Sequence, residues 1–319
     1  MISVVIPTFN RRHKIGQAIS SVLDQQEVEV EVIVVDDGST DGTADWLVEE
    51  YANQPVRIVP NTRKKGPAGA RNTGILVADG DSIALLDSDD CFLPHHLADC
   101  QCAFESFPEV SVVFGPALYE RNGQPVDYMG PNFVRKLGCA PTVHQDGNLR
   151  VFAPNFFTHL LQYGCYFNLS TVVLRAGAAR ELMNEALRIA EDYEFWMRLS
   201  RTHRFACLNR PQIRYQLHSE NISFEQADSA ADNAPNLLAA YRIIRAYPAL
   251  ERKQIRLIEQ NIAEVLFSWA YRCRKHRQLG EATRLHLRSF RFGKRRENAA
   301  ALLKLLLVSL FPALEPLKR

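Results

Sequence analysis

Short apolar runs alternate with helical spacing along residues 1–115. Ser3–Pro7, Glu31–Asp36, Val56–Val59, Ser82–Asp87 and Ser111–Phe114 read as strands. Lys14–Leu23, Ala44–Tyr51, Ala68–Val77 and His95–Phe107 carry apolar positions at helical intervals between them. Such repetition predicts an α/β fold with a mostly parallel sheet and helices on both faces. Ligands of open α/β sheets bind at the carboxyl ends of strands. The unusual polar residues stand there: Thr8-Phe9-Asn10 after the first strand, Asp36-Asp37-Gly38-Ser39 after the second and Asp87-Ser88-Asp89 after the fourth.

Residues 116–165 are less regular. Arg121-Asn122-Gly123-Gln124 reads as a hairpin turn between Ala117–Glu120 and Pro125–Tyr128. The aromatic residues between Phe152 and Tyr166 fit an acceptor pocket or ordinary core packing. Phe195, Trp196 and Leu199 make an apolar helix stripe, with Glu191 and Asp192 at its start. Phe205–Leu208 and Ile213–Leu217 read as strands, with His218 directly after. From Ala230 onward the pattern is helical, over Leu237–Tyr247, Glu251–Cys273, Leu279–Phe292 and Ala299–Phe311. The last of these is too short to span a bilayer and is interrupted by Lys304.

Charge divides the chain. Residues 1–240 hold 20 Lys and Arg against 30 Asp and Glu, a balance of −10, whereas residues 241–319 hold 18 against 6, a balance of +12. The basic end, with Arg288, Arg291, Lys294, Arg295 and Arg296 before an apolar helix, suits an anionic membrane surface or a solvated face on a docked helix. Nucleic acid is not expected, because no aromatic interleaving or binding motif accompanies the charge. Seven cysteines without a CxxC pair indicate free thiols in a reducing cytosol, not a zinc ribbon or disulfide framework. Met1 leads straight into a strand, so no signal peptide is expected.

The chemistry concentrates at Leu85-Leu86-Asp87-Ser88-Asp89-Asp90, where three carboxylates follow a buried run within four positions. Crowded like charges repel, and a hard cation such as Mg²⁺ or Mn²⁺, which takes carboxylate and phosphate oxygens, relieves that repulsion. The alternative is an acidic helix cap ahead of a helix opened by Pro94. Gly66-Pro67 reads as a turn into a helix that carries Arg71 and Asn72 in its first turns. No GxGxxG follows the first strand, which argues against a nicotinamide or flavin oxidoreductase.

Five stretches, in order over residues 1–220, resemble the family 2 glycosyltransferases of the GT-A fold: Val4–Arg11, Val34–Thr43, Gly69–Gly74, Leu85–Asp90 and Glu191–Trp196. The resemblance implies a catalytic domain over residues 1–225, with a nucleotide-binding half (1–115) and an acceptor half (116–225), followed by a basic helical region (226–319). It implies that Pro7, Thr8 and Asn10 line the nucleotide pocket, that Asp37 accepts from the base, and that Arg71 reaches the nucleotide. It further implies that Asp87 and Ser88 approach the ribose and diphosphate, and that Asp89, with Asp87 and His218, holds Mn²⁺ or Mg²⁺. Members often carry Arg where Gln216 stands, so this last motif matches loosely.

Asp192, chosen over Glu191, is the implied general base, and a single displacement implies inversion at the anomeric carbon. The implied donor is a nucleoside-diphosphate sugar, UDP first and dTDP next. The implied acceptor is a saccharide or lipid-linked saccharide in bacterial cell-surface polysaccharide synthesis, in the cytoplasm or peripheral on the inner face of the membrane. Competing readings are a sugar nucleotidyltransferase, which wants a glycine-bearing loop where Thr8–Arg12 has none, and a non-catalytic membrane-surface scaffold. A haloacid-dehalogenase phosphatase fits poorly, because its Asp-x-Asp follows the first strand.

Overall fold

Val4 and Ile6 point to one face of the first strand and Val5 to the other, and all three are fully buried, so this strand is covered on both sides. The computed structural model of the chain describes residues 1–121, 123–127, 130–217 and 233–310, with side chains to residue 306. It divides into two units, Met1–His218 and Ser219–Arg319.

In the first unit the strands are β1 (Ile2–Thr8), β2 (Val30–Asp36), β3 (Val56–Pro60), β4 (Ser82–Leu85), β5 (Asp90–Phe92), β6 (Val110–Phe114), β7 (Ala117–Arg121), β8 (Gln124–Val126), β9 (Thr142–Gln145), β10 (Leu149–Phe152), β11 (Val173–Arg175), β12 (Arg204–Leu208) and β13 (Ile213–Gln216). The helices are α1 (Ile15–Leu23), α2 (Thr43–Glu50), α3 (Pro67–Val77), α4 (His96–Ser106), α5 (Gly130–Gly138), α6 (Phe156–Tyr163), α7 (Ala176–Ala179) and α8 (Glu191–Leu199). Nine strands form one sheet in the order β3-β2-β1-β4-β11-β6-β12-β10-β9. The expected parallel arrangement holds for β3-β2-β1-β4 and for β6 with β12. The sheet as a whole is mixed, because β11 runs antiparallel to both β4 and β6, and β10 runs antiparallel to β12 and β9. A second sheet has the order β5-β13-β7-β8.

On one face of the large sheet Val4, Ile6, Val32, Val34 and Leu86 pack with Ile15, Ile19 and Val22 of α1. Each such side chain stabilises the fold by about 1.5–3 kcal/mol when fully buried. On the other face α3 approaches so closely that a Cβ at Gly74 would stand 2.4 Å from Val5 Cγ1. Gly74 thus brings the helix bearing Arg71 down onto the strand ends.

Two local expectations change. The strand read as Ser82–Asp87 ends at Leu85, and α4 begins at His96, so Pro94 does not open it. Asp90 is no helix cap, because it pairs with Tyr215 as part of β5 and is 1 % exposed.

The second unit is helical: α9 (Ala234–Arg245), α10 (Arg252–Lys275), α11 (Leu279–Phe292) and α12 (Arg295–Leu310). A capping box between Glu251 and Gln254 starts α10. Ile262, Leu266 and Ala270 of α10 and Ala282 and Leu285 of α11 are buried. A polar chain ties three helices: His286 Nδ1 meets Asn298 Oδ1 at 2.8 Å, Asn298 Nδ2 donates to Ser289 Oγ, and Ser289 Oγ donates to Ala263 O. No helix among the described residues is long and apolar enough to cross a membrane. All seven cysteines are free.

Candidate functional site

Thr8 of β1 and Asp36 of β2 are register partners at the carboxyl ends of adjacent strands. Thr8 Oγ1 and Asp36 Oδ1 are both buried without a hydrogen-bond partner. Two orphaned oxygens side by side are costly unless a ligand supplies donors. The rest of this edge is held by side chains. Asp36 Oδ2 accepts from the backbone N–H of Gly38 and Ser39 at 3.1 and 3.0 Å. Asn10, at φ +54°, accepts from Thr40 N through Oδ1 at 2.7 Å. Asp37 accepts from Asn61 Nδ2 at 2.6 Å and from Gly66 N at 2.8 Å, fixing the loop that leads into α3. Pro7 lies one residue before Thr8, paired with Val35. Asn10 and Asp37, both expected around the nucleotide, thus hold the backbone of this edge.

Arg71 is the hub. It is 6 % exposed, donates to Asp87 Oδ1 at 2.6 Å and to Glu191 Oε1 at 2.9 Å, and leaves its buried Nε unpartnered. Burial opposes its charge, but Asp87 and Glu191 more than offset that and raise its pKa. One guanidinium therefore ties the end of β4 to the start of α8. The chain enters α8 through Ala190 at φ +66°, a left-handed conformation that costs roughly 1–2 kcal/mol for a residue with a Cβ. Three acidic residues, Glu191, Asp192 and Glu194, fill the first turn of α8, where the helix dipole favours them. Asp192 is half-buried, and its Oδ1 accepts its neighbour's N–H from Tyr193 at 2.6 Å. Burial pushes its carboxyl above the usual aspartate range, Arg71 pulls it back, and Asp87 raises it again. Burial raises Glu191 too, against the same guanidinium. Glu191 is committed to Arg71, whereas no guanidinium among the described residues bonds to Asp192.

The carboxylate cluster is organised by a residue that sequence reading passed over. Ser170 Oγ accepts from Asp87 N at 3.1 Å and donates to Asp90 Oδ2 at 2.6 Å. Asp89 approaches Arg11 at 3.9 Å, and Ser88 is buried between the carboxylates. Asp90 Oδ1 has no partner, and its carboxyl lies well above the usual range through burial and the charges of Asp87 and Asp89. Tyr215 of β13 feels the same cluster, since burial and then Asp90, Asp87 and Asp89 raise its phenol. Neither Ser170 nor Tyr215 carried a signal in sequence, because each meets the cluster only through sheet pairing and loop packing. Among the described residues no group of three His, Cys, Asp or Glu is arranged to hold a metal ion by itself. The crowded oxygens of Asp87 and Asp89 nonetheless have the donor chemistry that a hard divalent cation takes together with phosphate. His218, the third expected ligand, lies outside the described residues.

Core packing accounts for part of the aromatic stretch. Phe152 and Phe156 stack with each other and with Phe114 in the core. Tyr166 faces a cavity.

Residues 3–152 match the profile of the family described as Glycosyl transferase family 2. Chondroitin synthase of Escherichia coli is 30 % identical over 238 residues, 73 % of this chain and 31 % of the synthase, so the chain spans under half of that relative's length. The Escherichia coli UDP-Glc:alpha-D-GlcNAc-diphosphoundecaprenol beta-1,3-glucosyltransferase WfgD is 29 % identical over 229 residues, covering 70 % of this chain and 79 % of the enzyme. Among solved structures, S. aureus TarS 1-349 in complex with UDP-GlcNAc superposes with a TM-score of 0.63 at 20 % identity, over 94 % of this chain and 83 % of that one.

Proposed function

Residues 3–152 belong to glycosyl transferase family 2 and the first unit has the GT-A fold, and from that premise we propose that the chain moves a sugar from a nucleoside-diphosphate sugar onto a saccharide or lipid-linked saccharide of a bacterial surface polymer. The observation that carries this reading is the Arg71 bridge between Asp87 and Glu191. It ties the carboxylate that follows β4 to the start of α8, the helix that carries Asp192.

UDP is the first donor to test, in keeping with the UDP-sugar names of TarS and WfgD, and dTDP the next. Pro7, Thr8, Asn10 and Asp37 surround the nucleoside in this reading, and Ser88 faces the ribose. Mn²⁺ or Mg²⁺ would be held by Asp89 with Asp87 and His218. Bound there, the cation would supply Lewis-acid stabilisation of the leaving diphosphate. The chain's own part is to orient and deprotonate. Asp192, fixed at a helix start, takes the proton of the acceptor hydroxyl as that oxygen attacks the anomeric carbon. Its raised pKa makes it a better base than an exposed aspartate. One base and one displacement give inversion. An NMR time course in which the product keeps the donor's anomeric configuration would contradict this.

We place the acceptor in the half formed by residues 116–225 and the basic region, 226–319, at an anionic membrane surface on the cytoplasmic side. In support, Arg284, Arg288 and Arg291 of α11 border a groove with Leu287, which is 53 % exposed. Co-sedimentation with phosphatidylglycerol vesicles, and its loss in Arg284→Glu with Arg288→Glu, tests that contact. The transferase reading is tested by thermal stabilisation with nucleotide-sugars, with and without Mn²⁺. A ligand bound only by the folded chain raises the melting midpoint. No response to any nucleoside diphosphate would remove the reading.

A further inference from the structure

Three consecutive buried residues near the start of α3 reach three different parts of the first unit. Successive helical side chains point about 100° apart, so each can serve a separate neighbour. Arg71 holds Asp87 and Glu191. Thr73 Oγ1 donates to Asn61 Oδ1 at 2.8 Å and accepts from Thr62 N at 3.3 Å. Asn72, which is fully buried, turns to the connection that precedes α8. Its Nδ2 donates to Met183 O at 2.9 Å, and its Oδ1 accepts from Met183 N at 2.8 Å. The same Nδ2 donates to Glu185 Oε1 at 2.8 Å.

Two of these parts meet at Glu185. Its carboxylate also accepts from Arg63 Nε and, at 3.4 Å, from Lys64 N. Arg63 and Lys64 belong to the loop of residues 61–66, which Asp37 holds through Asn61 and Gly66. The next residue of that loop, Lys65, sets its Nζ 4.4 Å from the centroid of the Phe9 ring. Burial raises the Glu185 carboxyl, but the bonds from Asn72, Arg63 and Lys64 more than offset that and keep it below the usual glutamate range. One ionised carboxylate thus joins a loop at the carboxyl ends of β1 and β2 to a connection 122 positions beyond Arg63.

That connection depends on outside ties. Leu182 and Ala190 bracket it at φ +55° and +66°, conformations that a Cβ disfavours. Arg198 of α8 donates to Glu181 O at 3.1 Å and to Leu182 O at 2.6 Å. Asn72 then clasps Met183, Glu185 fastens the middle to the loop, and Arg71 holds Glu191. Asp192 is the second residue of the helix that follows. At the other end of the network, Asp37 accepts from the nucleoside base in the transferase reading. A carboxylate offers about four lone-pair sites, so Asp37 can take that bond while keeping Asn61 and Gly66. A bound base therefore adds a contact to the very group that holds the loop.

We propose that Glu185 is a positioning residue that passes donor occupancy to the base: a nucleoside diphosphate bound against Asp37 steadies residues 61–66, and Glu185 carries that order to residues 183–191 and the start of α8. This rests on the transferase reading and adds how the donor side of that site governs the base side.

The test is hydrogen–deuterium exchange of the full chain, read by mass spectrometry with and without a saturating nucleotide. The nucleotide is the first of UDP, dTDP, GDP, CDP and ADP found to bind by calorimetry. In the wild type it slows exchange in residues 61–66 and also in 183–191, by about fivefold or more, as for an ordinary coupling between sites. In Glu185→Ala the nucleotide binds within a few-fold of the wild-type affinity and still slows 61–66, but the slowing in 183–191 is lost. Glu185→Gln, which keeps an oxygen for Asn72, restores part of it. Should Glu185→Ala fail to fold, Arg63→Ala cuts the charged arm of the same tie from the loop side, where the side chain is 36 % exposed. A merely structural Glu185 would speed exchange in 183–191 equally with and without nucleotide, leaving the nucleotide-dependent difference intact. That result overturns the proposal, as does a nucleotide that binds the wild type without slowing 183–191. A wild-type chain that binds none of the five would instead overturn the transferase reading, and this inference with it.

Discussion

The two halves of the first unit are held together by different means. Around the carboxyl ends of β1, β2 and β4, polar side chains hold the backbone: Asp37 pins Asn61 and Gly66, Asn10 pins Thr40, and Arg71 joins Asp87 to Glu191. Across residues 116–217, packed rings do the holding: Phe114 stacks on Phe152 and Phe167, and Tyr166 meets Phe133 edge-on. A nucleoside diphosphate presents fixed charges and hydrogen-bonding edges, so its site is best organised before it arrives. The polar half therefore carries orphaned oxygens and crowded charges, and the aromatic half carries a cavity.

Disabling the polar half is expected to have the larger effect. Asp89→Ala removes the proposed leading metal ligand and, on that reading, lowers metal-dependent release of UDP from a UDP-sugar by about a hundredfold or more. Steady-state assays across Mn²⁺ concentrations read this, and wild-type turnover in the variant would move the cation elsewhere. Next in size, Arg71→Met strands Glu191 and Asp87 without their cation. Losing one partner of a buried ion pair costs about 3–5 kcal/mol, here at the lower end because Glu191 is already raised toward its neutral form. Denaturant unfolding measures it, and a loss within experimental error would show that the bridge does not hold α8 in place.

The third prediction concerns pH. His96 is fully buried, its Nδ1 meets Gln212 Oε1 at 2.9 Å, and burial lowers its pKa from 6.5 to about 4. The unfolded chain takes up this proton at about pH 6.5 and the folded chain only near pH 4. Stability from this group is therefore complete above about pH 6.5 and declines as pH falls toward 4, by about 3 kcal/mol in all. Chemical denaturation at pH 7 and pH 4.5 should show the wild type losing more than His96→Gln, and equal losses would discount the group. The smallest effect belongs to Asn61→Ala, which removes its bonds to Asp37 Oδ1, Thr73 Oγ1 and Arg63 N and costs about 1–2 kcal/mol. If the polar half works as a frame, the donor KM rises more than stability alone predicts. An unchanged KM would make that bond structural only.

Much of the polar half was legible in sequence, since strand runs ending in Asp, Asn and Thr can be read locally. The helices of the basic unit were legible for the same reason, and α11 has the bounds its apolar spacing indicates. What was not legible depends on contacts distant in the chain. Three-residue β5 is too short for a pattern, so Asp90 read as a cap until its pairing with Tyr215 was seen. Ser170 reaches Asp87 across 83 positions, and nothing in its own neighbourhood marks it. The antiparallel β11 that makes the sheet mixed has three residues and no alternation to read. Helix α5 was not legible either, because the residues around it are mostly polar.

The central claim is that Asp192 is the base of a sugar transfer served by the polar half. It is tested most directly by transfer from a UDP-sugar to a diphosphate-linked acceptor sugar, comparing the wild type with Asp192→Asn across pH. The account predicts a loss of about a thousandfold in kcat with UDP affinity retained, and a wild-type acid limb above the ordinary aspartate range. Transfer by Asp192→Asn within a few-fold of the wild type, with the same acid limb, would contradict it.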